Sequence, residues 1–312
     1  MPADPIHRDT RGVYIISATP FDDDGALDLE STDRLMDFYL GHGVSGMTVL
    51  GIMGEAPKLA PEEARAFVDR VFARVAGRVP VIVGVSAGGF EVMRRLAHAA
   101  MEKGAAGVMV APPAGTNTEA KLIAYYAGVC AALGPDVPVC VQDFPQATGV
   151  AMSAGTILRL AREHAQIVML KHEDWPGLAK ITAIREAERA AEQPRLSILC
   201  GNGGLFLPQE LARGGDGAMT GFAYPEMLVE VVGAHHAGEP DRAEDVFDAY
   251  LPLVRYEQQP GVGLAARKEI LRRRGAIASA GTRAPGPALT AADAAELTRL
   301  VARLERRLGE TD

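Results

Sequence analysis

No GxGxxG follows the first apolar run of this chain, no GxxxxGK[ST] occurs in it, and its seven histidines show neither HxH nor HExxH spacing. Rossmann-type dinucleotide binding, P-loop nucleotide binding and the common zinc-hydrolase site thus each lack their signature. Basic residues are in deficit: 32 Lys and Arg stand against 40 Asp and Glu, a formal charge of −8. A nucleic-acid footprint would be a basic patch or stripe, so that class of partner is excluded. The compact basic runs Arg272–Arg274 and Arg306–Arg307 read as helix ends or faces. No apolar segment approaches the roughly 18–20 residues of a membrane span. Residues 1–12 lack the apolar core of a signal peptide, so the chain is expected in the cytoplasm, away from membranes. The three cysteines, Cys130, Cys140 and Cys200, are scattered in apolar contexts and read as reduced core residues. Neither a metal nor another cofactor is expected.

What is present is 48% hydrophobic and 23% charged over 312 residues, enough to fill a large core. Short apolar runs alternate with helix-like segments up to about residue 223. The runs are Val13–Thr19, Gly46–Leu50, Pro80–Val85, Gly107–Ala111, Val137–Asp143, Ile167–Lys171, Leu196–Cys200 and Gly217–Gly221. Several lack polar alternation, as parallel strands buried on both faces do. Between them Leu29–His42, Pro61–Val75, Phe90–Lys103, Glu119–Leu133, Ser153–His164 and Gly177–Ala190 fit helices. Eight strands with interleaved helices in about 210 residues favour a closed (β/α)8 TIM barrel over an open doubly wound sheet. After residue 224 the strand signal ends. Pro225–Ala237, Asp241–Tyr250, Gly263–Arg274 and Thr290–Leu308 read as helices, with Ser279–Leu289 as a loop. The expectation is a catalytic barrel over 1–224 and a C-terminal helical domain over 225–312.

Lys171 ends one of the apolar runs, where an unpartnered ammonium ion would lose its hydration. An ordinary lysine, with a pKa of ~10.4, is neutral only about once in 2,500 molecules at pH 7, so imine-forming sites must favour the free amine. Two residues on, Glu173 should face the same side of the strand, while His172 should face away and serve packing. The pair reads either as an ion pair or as a nucleophile with its proton carrier. Barrel active sites collect residues from the C-terminal strand ends. Those ends offer Ser17, Thr19, Gly51, Ile52, Met53, Gly54, Ser86, Gln142, Asp143, Gly201, Asn202 and Thr220 as substrate-binding candidates. The glycine-rich turns Gly51–Glu55 and Gly201–Gly204 can bring backbone N–H groups close to a small carboxylate. Asp143 reads equally as a turn cap, and Asn202 as a residue in the left-handed conformation. Val262–Leu271 either covers the site or makes a subunit contact.

Together these residues resemble the pyruvate-aldolase family of dihydrodipicolinate synthase and N-acetylneuraminate lyase. Thr19-Pro-Phe21 is similar to its first-strand TPF, and Gly51-Ile-Met-Gly-Glu55 with Leu59 and Glu62-Glu63 to its G-T/S-T/S-GE…L…EE signature. Pro145 with Thr148-Gly149 resembles its YN-x-P-xx-TG turn, and Leu170–Glu173 its lysine strand. The resemblance implies that Lys171 forms a Schiff base with a 2-oxo acid, that the turn after strand two binds the carboxylate, and that the protein is a homotetramer with an appended helical bundle. The departures are specific. Gln142 stands where the family has its proton-shuttling tyrosine, and Ile52 and Met53 replace paired hydroxyl residues. The second relay tyrosine is missing from Ala111–Thr116. An amide is no general acid–base at neutral pH, so synthase and sialate lyase activities are not expected. Lys171-His-Glu-Asp-Trp-Pro-Gly-Leu178, Cys200-Gly-Asn-Gly-Gly204, Ala218–Pro225 and Tyr256-Glu-Gln-Gln-Pro-Gly261 resemble the 2-keto-3-deoxy-L-arabonate dehydratase branch. That branch implies a small-molecule 2-oxo sugar acid as substrate, with Glu173 supplying the proton transfers. The rival expectations are an aldolase on the same scaffold, cleaving C3–C4 to release pyruvate, and a non-catalytic 2-oxo-acid-binding protein. A phosphate-sugar enzyme would want a cation beside Gly201–Gly204, and none stands there in the sequence.

Overall fold

The computed structural model describes residues 4–175, 177–190 and 193–309. Residues 1–3 and Pro176, which belong to stretches read above, lie outside the described residues. All eight apolar runs form strands: β1 (Gly12–Ile16), β2 (Gly46–Val49), β3 (Val81–Gly84), β4 (Gly107–Val110), β5 (Val139–Asp143), β6 (Ile167–His172), β7 (Ser197–Cys200) and β8 (Gly217–Ala218). Each of the eight pairings between these strands is parallel, and β8 closes on β1 through Gly12–Gly217 and Val13–Ala218. The TIM barrel read from the sequence is the fold. Period-two alternation divides the apolar residues into two layers. Tyr14, Ile16, Ile82, Met109, Cys140, Met169, Leu199 and Met219 fill the interior, and Ile6 joins them. The opposite strand faces pack against the helices in one large cluster.

The six helices expected between strands are found within about two residues of their predicted ends. Their starts follow local chemistry: Asp28 Oδ1 accepts from Ser31 N at 2.8 Å, and Ser153 Oγ from Thr156 N at 3.0 Å. A reciprocal capping box forms at Thr290, with Thr290 N donating to Asp293 Oδ2 at 2.8 Å and Asp293 N to Thr290 Oγ1 at 3.2 Å. Apart from single-turn segments such as Pro145–Thr148, two helices differ. The short helix Leu207–Ala212 was not anticipated, because six residues between glycine turns are too few to show a period. The helix expected over Asp241–Tyr250 runs from Pro240 to Glu257, straight through Pro252. A proline there removes one backbone donor, yet the buried stripe Phe247, Tyr250, Leu253 and Val254 holds the helix across the break.

Pro225–His236 packs on β1 and β8 and completes the ring around the barrel. Pro240–Glu257, Gly263–Arg273 and Ala291–Gly309 form the appendage, whose Phe247, Leu253, Ile270, Leu297 and Leu304 continue the barrel's outer core without a break. Among the described residues no helix is long and apolar enough to cross a membrane.

Candidate active site

On β6, alternation sends Met169, Lys171 and Glu173 inward, and Leu170 and His172 outward. Lys171 Nζ lies 3.0 Å from Glu173 Oε2, and both residues are buried. Gln142, paired with Lys171 in the β5–β6 register, donates from Nε2 to the same oxygen at 2.7 Å. The Glu173 backbone is held as firmly. Its N–H donates to Asp143 O at 2.9 Å, and its carbonyl accepts from Asn202 Nδ2 at 2.8 Å. The amide of Gln146, oriented to satisfy both of its neighbours, adds a bond to that carbonyl at 3.0 Å. One carboxylate oxygen is therefore fully engaged, while Oε1 accepts no hydrogen bond among the described residues, and Glu173 is part of the pocket wall. Such a group can take a proton from the adjacent amine through Oε2, or exchange one with a bound substrate through Oε1.

Across the mouth, the turn after β2 runs between two non-glycine residues in the left-handed region, Leu50 at φ 55° and Glu55 at φ 54°. Such conformations cost roughly 1–3 kcal/mol each and persist only when their surroundings fix them. Among the described residues the N–H groups of Ile52, Met53 and Gly54 donate to no protein acceptor, and Ile52 and Met53 line the pocket. Thr19 Oγ1 donates to Gly54 O at 2.6 Å, behind the turn. Glu55 pins the far end, accepting from Lys268 Nζ at 2.8 Å, Lys58 Nζ at 3.0 Å and Arg283 N at 3.0 Å.

The pocket of about 310 Å³ brings together Lys171, Glu173, Gln142, Ile52, Met53, Asn202 and Thr220 from the candidates. The others stand behind it or outside it. Ser17 is buried and donates to Ala18 O at 2.8 Å, and Ser86 Oγ accepts from Ala111 N at 2.9 Å, latching two strand ends. Gly51 and Gly54 supply backbone to the turn. Asp143 lies on the outer face of β5, bonded to Lys180 at 2.6 Å, and burial pushes its carboxyl up to about 6. It is therefore not among the residues facing a substrate. Beside it His172 is buried on the same outer face, where burial first and Lys180 second bring its imidazole down to about 4. Gly201 has a steric role: a Cβ there would come within 2.1 Å of Glu173 Cγ. Asn202, at φ 50°, is both left-handed and part of the pocket wall.

Sequence reasoning missed much of the remaining wall. Glu257, Gln258 and Arg267 reach the pocket from the appendage, and Phe144 from the end of β5. Arg267 Nε donates to Glu257 Oε2 at 2.6 Å, and both side chains are buried. Val262–Leu271 thus contributes to the site through Gly263, Leu264 and Arg267. The signal was the run Tyr256–Gly261, set apart as distinctive without a function. No tyrosine lines the pocket among the described residues.

A model of the dihydrodipicolinate synthetase family matches residues 9–304. The chain belongs to that family. Members of the dihydrodipicolinate synthetase family are lyases. An L-2-keto-3-deoxyarabonate dehydratase of Azospirillum brasilense is 34% identical over 299 residues, 95% of this chain and 94% of that protein. A 4-hydroxy-tetrahydrodipicolinate synthase of Thermotoga petrophila is 29% identical over 252 residues, 78% of this chain and 82% of that protein. Among solved structures, a dihydrodipicolinate synthase from Rhodopseudomonas palustris superposes with a TM-score of 0.94 at 48% identity, covering 96% of this chain and all of that one. A prophage protein of the family from E. coli K12, solved in complex with pyruvate, superposes with a TM-score of 0.85 at 28% identity, covering 95% and 98%. Within the family, the branch read from the sequence is supported by the dehydratase relative.

Proposed function

We propose that this protein is a Schiff-base dehydratase of a 2-keto-3-deoxy sugar acid, converting 2-keto-3-deoxy-L-arabonate to 2-oxoglutarate semialdehyde and water. The observation that carries the reading is a carboxylate 3.0 Å from the lysine amine, both residues lining a pocket that no described tyrosine enters. In this reading residues 1–224 are the catalytic barrel and residues 225–312 the helical appendage that roofs it. The assembly is a cytoplasmic homotetramer. The similarity to proteins named as synthases does not outweigh the site, because Gln142 stands where the tyrosine relay would begin and an amide exchanges no proton at neutral pH.

The amine of Lys171 attacks C2, and loss of the carbonyl oxygen as water leaves an iminium ion that draws electrons from C3. The free N–H groups of Ile52, Met53 and Gly54 receive the substrate carboxylate. Glu173 removes a C3 proton to give the enamine. Now protonated, it returns that proton to the C4 hydroxyl, which leaves as water and forms the C3–C4 double bond. Loss of a C5 proton and reprotonation at C3 leave a C4–C5 enol, which takes a proton at C4 and gives up its hydroxyl proton to become the terminal aldehyde, and hydrolysis restores the lysine. One carboxyl serves each transfer in turn, which a tyrosine-free pocket requires.

Intact-protein mass after incubation with 2-keto-3-deoxy-L-arabonate and borohydride tests this, beside product analysis without borohydride. One adduct on Lys171 with the semialdehyde in solution is the expected result. An adduct with pyruvate released would make the protein an aldolase, and no adduct with no product would leave a binding protein.

A further inference from the structure

The pocket is lopsided. A substrate bound to Lys171 on β6, with its carboxylate at the turn after β2, could extend toward either side of the mouth. No residue of β3, β4 or their following turns lines the pocket, whereas Asn202 and Gly203 after β7, Thr220 and Gly221 after β8, and Gln258 and Arg267 of the appendage do. We infer that this β7–β8–appendage wall is a subsite for the uncharged, hydroxyl-bearing tail of the substrate, with Arg267 and Gln258 as its specificity-determining donors. The inference rests on the Schiff-base reading above and names the part of the substrate that this reading leaves unplaced.

Three features carry it. Arg267 is 6% exposed, and its charge is matched by Glu257, just as that of Lys171 is matched by Glu173. No uncompensated cation remains to hold a second carboxylate or a phosphate on this wall, so the pair suits neutral oxygens. The Arg267 donors are only partly used. Nε serves Glu257, and one Nη2 hydrogen serves Gln258 Oε1 at 3.0 Å in the amide orientation that satisfies both neighbours. An Nη1 hydrogen is directed at the Met53 thioether, a weak acceptor that a hydroxyl would outcompete. Finally, the wall is fixed before any substrate arrives. Gln258 Oε1 also accepts from Gly203 N at 3.3 Å, and Gly203, at φ 65°, has room for Gln258 only because it lacks a Cβ. Preset donors of this kind discriminate against tails lacking the hydroxyl, because the donors would then be left unpaired.

The test is the half-saturating concentration for borohydride trapping, measured with pyruvate, which has no tail, and with 2-keto-3-deoxy-L-arabonate. Because removing Arg267 alone would strand a buried carboxylate, the variant is the charge-balanced Arg267→Gln with Glu257→Gln, and Gln258→Leu is a second, uncharged change. The wild type should need at least about tenfold less sugar acid than either variant, as expected for lost hydrogen bonds in a buried site. Half-saturation by pyruvate should stay within about twofold, a split that general misfolding would not produce. Equal weakening with both ligands would move Arg267 to the carboxylate end, and no change with either would remove the wall from recognition; both outcomes overturn the inference. If wild type traps neither compound, the covalent reading fails first and the subsite falls with it.

Discussion

Among the described residues two lysine–glutamate pairs are buried, and of these Lys171–Glu173 lines the pocket while Lys268–Glu55 stands behind it. Lys171 and Glu173 are 3.0 Å apart, Lys268 and Glu55 2.8 Å apart. The Lys268 pair is saturated. Its ammonium also donates to Gly281 O at 2.8 Å and sits 4.5 Å from the centre of the Phe21 ring, while the second oxygen of Glu55 takes Lys58 and the Arg283 N–H. Burial pulls the Lys268 amine below its ordinary range, so a lowered pKa would not by itself identify a nucleophile. The Lys171 pair is left incomplete: both residues line the pocket, and one glutamate oxygen accepts no hydrogen bond among the described residues. A saturated buried pair fixes a turn to an appendage. An incomplete one keeps groups available to react.

The sharpest way to break this contrast is to remove each lysine. Lys171→Ala should abolish borohydride trapping and turnover, and an adduct surviving in that variant would sink the assignment. Lys268→Met should keep its adduct yet lose about 3 kcal/mol of stability in urea unfolding, because Glu55 stays buried with less compensation. Unchanged stability would mean that Lys58 and the Arg283 N–H already balance that carboxylate. Next in size is Glu173→Gln, which should still trap substrate but turn over at least about a hundredfold more slowly, since an amide cannot carry the proton. Near-normal rates would move the proton transfers elsewhere. Smaller again is Gly201→Ala. Its methyl would press on Glu173 Cγ and push the carboxylate off Lys171, so turnover should fall about tenfold with the fold intact. A rate equal to wild type would show that Glu173 relaxes freely.

Lys171 was legible because a charge ending an apolar run is conspicuous in one dimension, and the barrel because eight such runs recur at regular intervals. Glu173 followed from period two. The same rule, applied one strand earlier, puts Gln142 inside and Asp143 outside; grouping the two as substrate ligands ignored it. Gly201 was read for its backbone freedom, but its reason is a side chain 28 residues earlier, which no local pattern records. Arg267 and Glu257 lie ten residues apart on different helices, so neither shows a face that predicts the other. The saturated pair was less visible still, since Lys268 and Glu55 are 213 residues apart.

A third buried carboxylate extends the contrast to pH. Glu210 is 5% exposed, its Oε2 has no hydrogen-bond partner among the described residues, and burial pushes it up to about 8. Its folded pKa is raised, so it is protonated in the fold and ionised in the unfolded chain between about 4.3 and 8. That stability is full below the unfolded value and is lost as pH rises through the folded one. Asp143, raised to about 6, acts with the same sign in a lower window. His172, lowered to about 4, acts oppositely and only below its ordinary value near 6.5. The interval from pH 6.5 to 8 is therefore the place to look for Glu210. Across it the wild type should lose up to about 2 kcal/mol more than Glu210→Gln, at 1.36 kcal/mol per pH unit for one proton. Every other group is common to both proteins and cancels from that difference. Parallel slopes would mean that Glu210 is already ionised in the fold, with a compensating proton or cation supplied from its surroundings.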